Sequence, residues 1–268
     1  MQYADISAEL LERVRARAPL VQCITNFVAM DIAANLVLAI GASPAMVHAK
    51  EEVEEFAAIA SALTINIGTI APEWVEGMSL AASTASRIGL PWVLDPVACG
   101  ATRWRTQVAR ELAAKRPTLI RGNASEILAL QADRETTTRG VDSTDPVERA
   151  QTAARALAKT YGAIVAVTGA TDFVTDGSRE LGIEGGDPLM TKVTALGCSL
   201  TAVSGAFLAV GDSAFESTVA ALASFKIAGS RSALNCPGPG TLRWRMADEL
   251  HRLDAAAMRS EARLLSYA

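Results

Sequence analysis

The sequence predicts an α/β fold: three layers, α/β/α, around a mostly parallel central sheet, in one domain spanning residues 1–268. Three observations predict it. Short β-branched runs alternate along the chain with longer alanine-rich helical patterns. The runs are apolar on both faces, as strands are when helices cover both faces of a sheet. Half of the residues are hydrophobic and 20% are charged, a balance that fills a sizeable core and excludes a disordered or collagen-like chain.

The elements follow in order. A helix is expected over 7–16, then a strand at 20–24 (LVQCI) and a helix over 28–40. A helix at 51–60 leads into the apolar strand 62–67, and a helix over 72–87 into the strand 92–94. Helix 106–115, strand 118–120 and helix 124–130 repeat the alternation. The stretch 131–145 (QADRETTTRGVDSTD) is the most polar of the chain and reads as an exposed loop. It ends at Thr144-Asp145-Pro146, a good helix start, and the helix 147–159 stops before Gly162. Strands at 163–167 and 173–175 precede three helices, 198–210, 213–233 and 241–259. Residues 193–211 carry no charge and approach spanning length, but they are rich in Gly, Ser and Thr and open on a loop-like TALG. They read as a loop feeding a helix buried in the protein, with no membrane insertion.

A net charge of −4 implies no nucleic-acid partner. The four cysteines are far apart with no CxxC pair, and there are two histidines. Neither a zinc cluster nor a disulfide framework is expected, and a cytoplasmic location is the simplest reading. The charged N-terminus lacks the apolar stretch of a signal peptide.

Ligands of parallel sheets bind beyond the carboxyl ends of the strands. There the chain places Thr25-Asn26, Asn66-Ile67-Gly68-Thr69, Asp95-Pro96, Arg121-Gly122-Asn123 and Thr168-Gly169. Each alone is also turn chemistry; five in succession at one end point to a site. Three segments carry specific chemistry. Thr194-Ala195-Leu196-Gly197-Cys198 is a small-residue loop opening into a helix, whose free amides and dipole make an anion hole from Ala195, Leu196, Gly197 and Cys198. It is not a Walker loop, for no GxxxxGK[ST] occurs. Asn123 and Glu126, three apart, suit either waters around Mg²⁺ or a reciprocal helix cap. Asp95 before Pro96 suits either a metal or a turn.

In their order and spacing these segments resemble the hydroxyethylthiazole kinase family, a thiamine-salvage branch of the ribokinase-like fold group. The likeness runs from Ile24-Thr25-Asn26 and Gly41-Ala42-Ser43-Pro44-Ala45-Met46 through Asn66-Ile67-Gly68-Thr69, Leu94-Asp95-Pro96-Val97 and Arg121-Gly122-Asn123-Ala124-Ser125-Glu126. It continues through Gly140-Val141-Asp142-Ser143, Val167-Thr168-Gly169 with Asp172, Gly197-Cys198 and Pro237-Gly238-Pro239-Gly240. The resemblance implies phosphorylation of 4-methyl-5-(2-hydroxyethyl)thiazole by ATP, Mg²⁺ dependence and a homotrimer with thiazole pockets at subunit boundaries. By motif it implies that Met46 and Ala195 contact the thiazole, Arg121 and Thr168 contact ATP, and Asp95 and Glu126 serve the Mg²⁺ and phosphate region. Ala195 stands where the family usually has glycine, and is strained if that position needs positive φ. Met30-Asp31 stands where the family often has an Asn.

Cys198 occupies the place where many ribokinase-like enzymes have an aspartate base. A thiol at a helix N-terminus has a lowered pKa and would be a modest base; free cysteine is also a common buried filler. Met46 is equally a core residue by type. His48 is left without a role, and His251 reads as part of a solvated face. Competing readings are a pyrimidine-alcohol kinase of the same fold, a Cys198–His48 hydrolase and a nucleotide-binding module without turnover.

Overall fold

The computed structural model describes residues 2–132 and 146–267. Most of the polar stretch 131–145, with Gly140-Val141-Asp142-Ser143 and the start at Thr144-Asp145, lies outside the described residues. The helix expected after it begins at Pro146.

Five strands form the middle of the sheet: β1 (Leu20–Ile24), β3 (Ala62–Asn66), β4 (Trp92–Asp95), β5 (Leu119–Asn123) and β6 (Ile164–Thr168). All neighbours among them pair in parallel, so their carboxyl ends share one edge. Their side chains alternate between two cores. Val21, Cys23, Val93, Leu119 and Ala166 pack into one; Ile65, Leu94, Ile120 and Val165 pack into the other. Burial on both faces is what made these runs legible as strands.

The first core is closed by α1 (Gln2–Arg17), α2 (Met30–Ile40), α8 (Leu196–Leu208), α9 (Ala214–Ala233), α10 (Pro239–Arg252) and α11 (Ala255–Glu261). The second lies under α3 (Val53–Ile59), α4 (Pro72–Ile88), α5 (Arg103–Ala113), α6 (Ala124–Gln131) and α7 (Pro146–Tyr161). The expected three layers are present. The uncharged stretch 193–211 forms α8, buried from Ser199 to Leu208. No helix among the described residues is long and apolar enough to cross a membrane.

The sheet is wider than the sequence suggests. Its order is β2-β1-β3-β4-β5-β6-β7-β8-β9. The short β2 (Ser43–Ala45) pairs in parallel with β1 at one edge, where Pro44 is tolerated. At the other edge β7 (Thr171–Thr175), β8 (Glu180–Glu184) and β9 (Arg263–Ser266) run antiparallel. β2 and β9 are short and incompletely buried, and Gly182 between flanking glutamates breaks the apolar run of β8. The last expected helix, 241–259, is two: Asp254 accepts a hydrogen bond from the Ala257 amide at 2.8 Å and caps α11 after α10 has ended.

Candidate active site

The five clusters meet at the carboxyl ends of the strands, where β5 runs on through Arg121-Gly122-Asn123, and one side chain from each joins a single relay. The Asn26 amide donates to Asn66 Oδ1 at 2.9 Å, and Asn66 Nδ2 donates to Asp95 Oδ2 at 2.7 Å. Arg121 Nη1 reaches the same oxygen at 3.5 Å while its Nη2 donates to Thr168 Oγ1 at 2.7 Å. The relay therefore crosses β1, β3, β4, β5 and β6, one residue from each strand end. Parallel pairing sets this register, with Asn66 opposite Asp95 and Arg121 opposite Ala166. Two buried polar atoms in it have no partner: Asp95 Oδ1 and Arg121 Nε. Unpaired buried groups of this kind are costly unless a ligand completes them.

Helix α8 faces the relay end-on. Its first hydrogen bond runs from the Ser199 amide to the Ala195 carbonyl at 2.9 Å, which leaves the amides of Leu196, Gly197 and Cys198 without partners inside the helix. A Cβ on Gly197 would stand 3.1 Å from both terminal nitrogens of Arg121, so the first turn lies directly against the guanidinium. The Cys198 thiol accepts from Asn26 at 3.3 Å, and Thr201 on the next turn donates to Asp95 Oδ2 at 2.7 Å. Of the expected anion hole, Gly197 and Cys198 touch the relay, Leu196 lines the cleft beside it and Ala195 precedes them at the helix start; Asp95, Arg121 and Thr168 are in the relay.

Electrostatics divide the groups. Burial pushes Asp95 up to about 6, with Glu126 adding to the rise and Arg121, Thr201 and Asn66 opposing it. Burial also raises Cys198, and the nearby Asp95 charge raises it further. Burial and the neighbouring carboxylate thus act against the acidification argued from the helix terminus. Glu126 forms the reciprocal cap on α6. Its Oε2 accepts from the Asn123 amide at 2.8 Å, and the Asn123 side chain accepts from the Glu126 amide at 3.0 Å. Its other oxygen accepts from the Ala98 amide at 2.9 Å.

Beside the relay lies a cleft of about 510 Å³. Arg121, Thr168 and Gly197 line its polar side, and Met190, Leu200 and Phe225 its apolar side. Met46 follows β2 and packs, partly buried, against the core under α2 and α8. The His48 ring lies tilted against Trp74, centroids 4.4 Å apart, and Trp74 tilted against Phe27 at 4.9 Å. The Cys198 partner is Asn26 and not His48, so the geometry of a cysteine hydrolase is not formed.

Ala195 has φ +64 and ψ +7, the left-handed region that alanine adopts only under strain. Ala98, whose amide binds Glu126, has φ +57; Ala18, Arg116 and Asn235 take the same region elsewhere in the fold. The Ala195→Gly variant is expected to be more stable by about 1 kcal/mol after the unfolded-chain entropy of glycine is set against it. A thermal melt should show a rise of about 2–4 °C; a fall would mean that the backbone there is not strained.

The strand-end residues were legible from their position. Asn26 and Asn66 were legible only as parts of clusters. Thr201 and Lys226 were missed, although a lone lysine in the apolar run ALASFKIAG of α9 was a signal.

Comparison with known proteins shows the family and the fold. The family model described as the Hydroxyethylthiazole kinase family matches residues 11–256. A hydroxyethylthiazole kinase of Rhizobium johnstonii is 57% identical over 265 residues, 98% of this chain and 99% of its own. One of Cereibacter sphaeroides is 58% identical over 254 residues, 95% of this chain and 96% of its own. The structure of hydroxyethylthiazole kinase protein from Pyrococcus horikoshii matches with a TM-score of 0.92 at 38% identity, covering 100% of both chains. An ADP complex of Bacillus subtilis pyridoxal kinase shares the fold, with a TM-score of 0.58 at 19% identity over 78% of this chain and 90% of that one. Kinship at this level along nearly the whole length leaves one assignment: the chain belongs to the hydroxyethylthiazole kinase family.

Proposed function

We propose that this kinase transfers the terminal phosphoryl group of ATP to the hydroxyl of 4-methyl-5-(2-hydroxyethyl)thiazole, giving the thiazole phosphate and ADP. The observation that carries the reading is the relay from Asn26 to Thr168 with two buried polar atoms left unpaired against the free amides of α8. A transferring phosphoryl group is what such a site suits, since its catalysis is mainly positioning and charge neutralisation.

In this reading the nucleotide lies in the cleft, with Arg121 and Thr168 on its phosphates and the amides of Leu196, Gly197 and Cys198 around the group in transfer. The alcohol lies on the opposite side of Cys198, toward Asn26 and Met46, with the Ala195 backbone against it. Phe27 and Val28, just beyond β1, are 65% and 60% exposed; apolar surface beside the site supports a homotrimer whose subunits close the acceptor pocket. We place the enzyme in the cytoplasm.

Asp95 and Glu126 would hold Mg²⁺. The residues fit: Asp95 Oδ1 is buried without a partner, and each Glu126 oxygen accepts a single backbone amide. Among the described residues no group of three or more His, Cys, Asp or Glu side chains gathers into a metal cage, which suits an ion that keeps waters and arrives with a nucleotide. When bound, Mg²⁺ neutralises phosphate charge. Asp95 is held for that work by Asn66 and Thr201.

With its pKa raised, Cys198 is a neutral thiol near pH 7 that orients the alcohol, the proton leaving late in a dissociative transfer. Cys198→Ala is expected to bind both substrates and lose less than about 100-fold in kcat, under the 10²–10⁴ attached to a general base. Cys198→Asp should retain activity if its carboxylate reaches the hydroxyl. Loss beyond 10⁴-fold in both, with the fold intact, would assign the cysteine another task.

The whole reading is tested by coupled ADP release from Mg·ATP with hydroxyethylthiazole, and a pyrimidine alcohol as control. Preference for the pyrimidine, or tight binding without turnover, would overturn it.

A further inference from the structure

Lys226 lies in the middle of α9, outside the relay, and its ammonium is fully occupied. It donates to the Gly169 carbonyl at 2.7 Å and the Ala170 carbonyl at 2.9 Å, and pairs with Asp172 Oδ1 at 3.1 Å. Those three contacts use all three of its protons, so it has none left for a phosphate. The Asp172 oxygen also accepts from the Gly169 amide at 2.9 Å. The turn between β6 and β7 is thereby tied at both its carbonyls and its first amide, directly after Thr168, which holds Arg121.

The same residue holds the other lip of the cleft. The Gly186 amide donates to the Lys226 carbonyl at 3.1 Å. A Cβ on Gly185 would stand 3.2 Å from the Lys226 Cβ, and one on Gly186 3.5 Å from its Cδ. The lysine stem thus packs under the Gly185-Gly186 segment while its head holds Gly169-Ala170. Both segments line the cleft. The ammonium and the Asp172 carboxylate are each about nine-tenths buried or more, with side-chain exposures of 10% and 4%.

We propose that Lys226, with Asp172, is a positioning residue for the nucleotide: it clamps the two lips of the cleft at one width and so keeps Thr168 and Arg121 aligned on the phosphates. The inference rests on the reading of the cleft as the nucleotide site, and its test uses nucleotide binding without the acceptor.

Lys226→Met alone leaves Asp172 buried and unpaired, which lowers stability whatever the clamp does. Lys226→Met with Asp172→Asn removes that charge and keeps an acceptor for the Gly169 amide. The double variant should regain most of the melting temperature that the single one loses. In calorimetry with Mg·ADP, both should bind at least fivefold more weakly than the wild type, with a matching rise in KM for ATP and an acceptor KM within twofold. A change of less than fivefold in the double variant, or an acceptor KM that rises as much as that of ATP, overturns the clamp. If the Met variants do not fold, Lys226→Gln with Asp172→Asn carries the same criteria. Wild-type protein that binds no Mg·ADP overturns the reading of the cleft itself, which is a different result from a clamp that fails alone.

Discussion

Arg121→Met is expected to lower kcat/KM by about 10³ or more, the scale of losing an arginine that stabilises phosphoryl transfer. The guanidinium bridges Asp95 and Thr168 and lies against the first turn of α8, and it is 8% exposed. No other cation is hydrogen-bonded into the relay among the described residues. Arg121→Lys should rescue little, because a point charge cannot hold Asp95 and Thr168 at once. The variant also has a stability signature. Without the guanidinium, Asp95 loses the cation that favours its charged form. The melting temperature should therefore fall at pH 8, where Asp95 is ionised, and fall less at pH 5, where it is protonated. Activity within tenfold of wild type in the coupled assay would remove Arg121 from the machinery.

Asp95→Asn should pair a loss of at least about 100-fold in kcat with a gain in stability. Burial is the largest cause of the raised Asp95 pKa, about 6 against an ordinary 3.8. The sign follows from linkage. In the unfolded chain the carboxyl ionises near pH 4, in the fold only near pH 6. Between those values the folded state binds the extra proton, so stability falls as pH rises from about 4 to 6 and stays lower above. Two pH units correspond to at most about 3 kcal/mol. The asparagine variant, without ligands, should melt several degrees above wild type at pH 8, with the difference vanishing near pH 4. Lower stability at pH 8 would mean that Asp95 is held charged at no cost. Such a trade of stability for function is common where a site must stay incomplete until a ligand arrives.

Recognition of the site edge from sequence worked for a definite reason. A strand buried on both faces is mostly apolar, so the polar residue that closes it is conspicuous, and Asp95 and Thr168 are each such a residue. Arg121 was visible by contrast, as a charge closing the apolar run of β5. The Glu126 reading stayed divided between ion and cap because three-residue spacing serves both; in the fold the cap is formed. Lys226 stood out as a lone charge, but its pairing was out of reach because its partners, Gly169, Ala170 and Asp172, lie more than fifty residues away in the chain.

By itself the sequence determined the alternation of strand and helix, the parallel core of the sheet, the edge at which chemistry gathers and the family to which the motifs point. These depend on local pattern: burial sets hydrophobic period, and turns and helix starts demand particular residues. Tertiary structure alone decided the burial and the carboxylate that raise the Cys198 thiol, the unpaired atoms of Asp95 and Arg121, the grip of Lys226 and the antiparallel edge. Those properties depend on how much water is excluded and which distant groups approach, and neither quantity is written in the neighbours of a residue along the chain.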